Sequence, residues 1–236
     1  MRTDVHRRTV LRQGRFVTAT TARKRLVTAS LLAAVLFIVA QSVAHLIATA
    51  GFHVCDATGF AECPSVFDLD HNNGIADAVS TAVIATAALG AAVLGARRRP
   101  RQVAAMALAT ILFLVTIEDA LHLGENARTK DGVIVVGTVL CAAVLTILVA
   151  VGASRESRWI LLVGTALLAI DAKAPYLYDQ IMNAVGQPAL VRGDLLYELG
   201  IVLDEAMELA GWTLLAVGLW DAAVAVRVSD GDPRTS

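Results

Sequence analysis

Six long apolar runs organise this chain, at 26–50, 75–96, 103–117, 133–153, 159–170 and 209–220, and charged residues fall between them or at their ends. A helix needs about 20 apolar residues to cross the roughly 30 Å of hydrocarbon in a bilayer. The third, fifth and sixth runs reach that length once the polar segments 118–123, 171–181 and 198–208 are counted with them. Only helices and closed barrels satisfy their backbone groups in lipid, and these runs are too long for barrel strands. The pattern therefore predicts an all-α polytopic membrane protein, a six-transmembrane-helix bundle over 26–225. A basic tail (1–25) precedes it and a short tail (226–236) follows; 1–22 and 228–236, rich in Arg, Thr, Ser and Asp, are expected to be disordered.

Composition supports this reading. Hydrophobic residues make up 56% of the chain and the mean hydropathy is +0.64, which excludes an ordinary soluble domain of 236 residues. The net charge of −1 conceals a segregation of signs. Lys and Arg number 8 in residues 1–25, 4 in Arg97–Arg101, 2 in Arg155–Arg158 and 2 after Ala225, whereas the alternate loops 51–74, 124–132 and 182–197 hold none, two and one. By the positive-inside rule both termini are cytoplasmic, in a multi-pass protein of a bacterial-type cell membrane. The expected partners are the lipid bilayer and a lipid or amphipathic substrate, with no nucleic acid.

The first run is read as a span and not as a cleaved signal. Arg7-Arg8-Thr9 and Ala48-Thr49-Ala50 have some signal-peptide character, but 26–50 contains 25 residues without Asp, Glu, Lys or Arg. A signal core is only 7–15 residues long. Cys55 and Cys63 share the first outside loop and are expected to form a disulfide. Cys141, in the fourth run, is expected to be inert packing. The loop Asp68–Gly74 is calcium-like in composition but departs from the EF-hand at its sixth and twelfth positions, Asn73 and Val79.

The candidate chemistry lies in the ionisable residues at the outer ends of the runs: His45, Asp77, Glu118, Asp119, His122, Asp171, Lys173, Asp179, Asp204, Glu205 and Glu208. Charged groups in hydrocarbon are costly, which makes them functional suspects. Residues three and four apart share a helix face. Gln41 aligns with His45, Asp77 with Ser80 and Thr81, and Glu118 with His122; Glu198, Glu205 and Trp212 form a further line. If all these stripes turn inward, they form an outward-open polar pocket floored by apolar residues. Asp119-x-x-His122 and Glu205-x-x-Glu208 have the i,i+3 spacing by which bundles aim two ligands at one ion. With His45 and Asp77 they offer an N/O ligand set suited to zinc or iron. The competing readings are a hydrated or protonated structural network, and a site that handles protons or other cations.

Two resemblances follow from these residues. The segment Glu118-Asp119-Ala120-Leu121-His122-Leu123-Gly124-Glu125, with Asp204-Glu205, Glu208 and Trp212, resembles a group of six-span bacterial membrane proteins of unassigned function. Those carry an acidic pair and a His-Glu on span three and acids on the last span; here Gly124 stands in the place of that histidine and His122 comes two positions early. The His and Asp ligands of an outward-facing bundle are also similar to those of alkaline ceramidase-type zinc hydrolases, which use three span histidines against His45 and His122 here. The resulting expectation is a metal-dependent membrane hydrolase, with His45, Asp77, Asp119, His122, Glu205 and Glu208 at the metal and Glu118 and Asp171 as acid/base groups. The alternatives are a protein that binds or transports a cation or cationic substrate, and a non-catalytic scaffold or accessory subunit.

Overall fold

The computed structural model describes residues 2–49, 75–97, 101–121, 132–172 and 195–229. Those residues form six α-helices and no strand: α1 (Arg2–Thr49), α2 (Ile75–Arg97), α3 (Gln102–Leu121), α4 (Gly132–Ala150), α5 (Arg155–Asp171) and α6 (Leu195–Ser229). Each apolar run of the sequence lies within or largely within one helix. Arg23–Ile47 of α1 and Ile75–Arg97 are long and apolar enough to cross a membrane, and Gln102–Glu118 and Gly137–Ala150 are shorter apolar helices.

The helix α1 corrects one expectation. The disorder predicted for residues 1–22 rests on their weak hydrophobicity, yet the structure carries them as helix from Arg2. Helix propagation needs no buried face once a nucleus exists, and the apolar stretch downstream supplies that nucleus. Between Arg2 and Thr49 there is no proline and a single glycine, Gly14, to interrupt it. At about 1.5 Å per residue the 48-residue helix is about 70 Å long. Likewise α6 continues to Ser229, past the expected start of the C-terminal tail.

Packing closes five helices into a ring in which α2 meets α3, α3 meets α4, α4 meets α5, α5 meets α6, and α6 returns to α2. The helix α1 lies outside this ring and packs on α6. The core is made of small and branched side chains: Ala87 and Ala91 of α2, Leu108 and Leu112 of α3, Leu161 of α5, and Leu215 and Leu219 of α6. Small residues bring the backbones of α5 and α6 close together. A Cβ built on Gly164 would lie 3.0 Å from the Gly211 carbonyl oxygen, and one on Gly211 would lie 3.2 Å from that of Gly164. Both contacts are with backbone, which cannot give way, so this crossing requires glycine on both helices. The outward faces are apolar, with Leu32 and Leu36 of α1, Phe113 and Leu114 of α3, and Leu140 and Val144 of α4 all exposed.

The basic end of the bundle is fastened by a polar clasp that the sequence did not reveal. Arg23 of α1 donates from Nε and Nη2 to the Asp221 carboxylate of α6, and Ser157 of α5 donates to the same carboxylate. Ser154 caps α5 by accepting from the Ser157 amide at 3.2 Å, and its hydroxyl lies 2.8 Å from that of Ser157. Arg97 at the end of α2 adds a bond to the Ala223 carbonyl at 3.2 Å. Asp221 is therefore the centre of a three-helix junction.

Candidate functional site

The ends opposite that clasp hold the acids. His45 lies in the last turns of α1, Asp77 in the first turn of α2, Asp171 at the last residue of α5, and Glu198, Asp204, Glu205 and Glu208 in the first half of α6. The antiparallel course of α6 against α1 carries them there, because the contact that joins residue 23 to residue 221 leaves residue 45 beside residue 198.

The best-defined element is His45 with Glu198. Nε2 of the imidazole and Oε2 of the carboxyl lie 2.9 Å apart, with the side chains 0% and 1% exposed. Sequence reasoning placed His45 among the metal ligands and left Glu198 without a role. The structure gives Glu198 a role, as the carboxyl that holds Nε2 of His45. Glu198 was legible only as the first member of the line Glu198–Glu205–Trp212, a line that says nothing about which neighbouring helix it faces.

Further along α6 the carboxyl groups meet. Asp171 and Asp204, from α5 and α6, lie within hydrogen-bonding reach of each other, with Glu208 close enough to act on Asp171 electrostatically. Glu205 lies within electrostatic range of Glu208, Asp204, Asp171 and Asp77. Glu208 accepts a hydrogen bond from the Trp212 indole at 3.1 Å, one turn on. Among the described residues no lysine or arginine forms an ion pair with Asp171, Asp204 or Glu205. Beside this cluster, Gln41 and Ser80 join Glu205 in lining a cavity of about 20 Å³ between α1, α2 and α6. Among the described residues, three buried polar atoms find no partner: Gln41 Nε2, Ser80 Oγ and Asp204 Oδ1. The cavity is of the size that takes about one water, and the Gln41 amide can be turned over to offer its oxygen in place of its nitrogen. The alignments of Gln41 with His45 and of Ser80 with Asp77 were the sequence signal for this layer.

The remaining candidates stand apart or lie outside the described residues. Glu118, proposed as an acid/base group, is exposed on α3 and lines a different cavity, between α3 and α4, with Thr138 and Cys141. Cys141 itself is exposed, not packed in the interior. Asp171 does lie in the carboxyl cluster, beside Asp204. The side chain of Asp119, and His122, Lys173, Asp179, Cys55, Cys63 and the loop 68–74, lie outside the described residues. Among the described residues no three His, Cys, Asp or Glu side chains converge as a metal ion would require.

Comparison with protein-family models, curated proteins and solved structures finds no match for this chain.

Proposed function

We propose that the chain is an integral membrane protein of six spans, both termini cytoplasmic, that binds a cation or cationic amphiphile in a carboxyl layer entered from the extracytoplasmic side. Support for the spans comes from the apolar outward faces, which suit lipid and not water. The count of basic residues in alternate loops supports the orientation. Binding rests on one observation: Asp171 and Asp204 lie within hydrogen-bonding reach of each other, and Glu205 lies within electrostatic range of both, of Glu208 and of Asp77. Gathering carboxylates in a low-dielectric layer is costly unless their charge is neutralised by protons or a cation. The spread of the carboxyls favours a hydrated or organic ammonium cation, held by several oxygens at once, over an ion coordinated directly.

The test is thermal unfolding of the full chain in nanodiscs against sodium, potassium, magnesium, manganese, zinc and a long-chain ammonium. A ligand at a hundredfold excess over its Kd contributes about 2.7 kcal/mol, which for a chain of this size raises Tm by roughly 5 °C or more. The expected result is a saturable rise with at least one monovalent or ammonium cation, lost in Glu205→Gln and Asp204→Asn. Stabilisation by zinc alone, lost in His122→Ala, would instead favour the metal-dependent hydrolase. No stabilisation by any cation would leave a scaffold.

A further inference from the structure

The small cavity between α1, α2 and α6 differs in scale from the carboxyl layer beside it. Its volume of about 20 Å³ admits one body the size of a water molecule. The polar wall is Gln41 of α1, Ser80 of α2 and Glu205 of α6, and Phe37, Ala76 and Leu209 supply apolar surface around them. The seam of α1 against α6 brings two of the three together. His45 faces Glu198 there, and Gln41 lies one turn back along α1 while Glu205 lies two turns on along α6. Ser80 reaches the same place from α2, one turn beyond Asp77. Gln41 and Ser80 are only 7% and 9% exposed, and Gln41 Nε2 and Ser80 Oγ have no partner among the described residues.

Each of these three side chains can present oxygen to the cavity. Ser80 and Glu205 do so directly, and the Gln41 amide does so once turned over, which sacrifices no hydrogen bond at Nε2. Among the described residues no lysine or arginine lines the cavity, and Glu205 is its single ionisable group. One water would satisfy the amide and the hydroxyl but leave the carboxylate charge unopposed, which is costly in a low dielectric. A monovalent cation satisfies the oxygens and the charge together. Divalent ions fit poorly, because calcium takes roughly 6–8 oxygen ligands and magnesium keeps several waters, for which the cavity has no room.

We infer that Gln41, Ser80 and Glu205 form a site for one dehydrated alkali cation, in which the side-chain oxygens of three helices replace its hydration shell. This goes beyond the proposed uptake of a hydrated or organic cation by the wider layer, with which the site shares Glu205. An ion held there ties α1 to α2 as well as to α6.

Binding of radiolabelled sodium to the full chain in detergent, read by scintillation proximity, tests it. The wild type is expected to bind one sodium per chain, displaced by unlabelled sodium or lithium but not by tetramethylammonium, which is too large for the cavity. Gln41→Leu and Ser80→Ala should each weaken sodium binding about tenfold. Thermal stabilisation by a long-chain ammonium, which draws on the wider layer, should persist in both variants and shows that they fold. No sodium bound by the wild type, with that stabilisation intact, would overturn the inference and leave the proposed function standing; the occupant would then be a water beside a protonated Glu205. Equal sodium affinity in the wild type and both variants would overturn it too, as would displacement by tetramethylammonium as effective as by lithium. Indifference to sodium and to the long-chain ammonium alike would sink both readings.

Discussion

Glu198→Ala is expected to lower the stability of the folded protein by about 3 kcal/mol, the largest effect of any single polar substitution in the bundle. His45 and Glu198 are both fully enclosed, at 0% and 1% exposure, and their facing atoms are 2.9 Å apart. Truncating either deletes this contact in a place where no solvent can replace it. His45→Ala should therefore cost a similar amount. The informative quantity is the double variant: replacing both should cost much less than the sum, with an interaction energy of about 1–3 kcal/mol. Thermal and chemical unfolding of the four proteins in one detergent measures it. Additive losses would show that the two side chains do not act as a pair.

The second largest effect is expected at the other end of α6. Asp221→Ala removes the acceptor of Arg23 Nε and Nη2 and of the Ser157 hydroxyl in one step. Its side chain is 3% exposed while that of Arg23 is 22% exposed, so the guanidinium can turn toward the interface and recover part of its solvation. The cost should therefore be smaller, about 2 kcal/mol. It should also be local. Because α1 packs broadly only on α6, loss of the clasp should free the α1 end and expose residues 21–25, ahead of the apolar run, to protease before the five-helix ring opens. Limited proteolysis timed against unfolding distinguishes this from a global loss. Simultaneous cleavage of α1 and the ring would contradict it.

Much of the helical layout was legible because it depends on properties of one helix at a time. An apolar run bounded by charge defines a helix whichever neighbour it meets, and each of the six runs falls within or largely within one helix of the described residues. Stripes were legible in the same way: Gln41 with His45, Ser80 with Asp77, and the acids of α6. What the sequence could not supply was the pairing between helices. His45 and Glu198 are 153 positions apart, and Arg23 and Asp221 are 198 apart. Spacing along one helix orders its own side chains but leaves the rotation of the next helix open. That is why the contact between His45 and Glu198 was not foreseen. The basic segment before Leu26 was misjudged for a different reason. Charge and polarity diagnose an inability to bury surface, whereas a helix extending from an apolar span needs no burial to continue.

The central claim is that carboxyl groups from α2, α5 and α6 form one layer that takes up a cation. Infrared difference spectroscopy of the protein in lipid, recorded on adding and removing sodium, potassium or a long-chain ammonium, observes those groups directly. The account predicts a saturable change in the carboxyl and carboxylate bands that is reduced in Asp204→Asn and absent in the double variant Asp204→Asn, Glu205→Gln. Carboxyl bands indifferent to every cation, or a change that survives in the double variant, would contradict it.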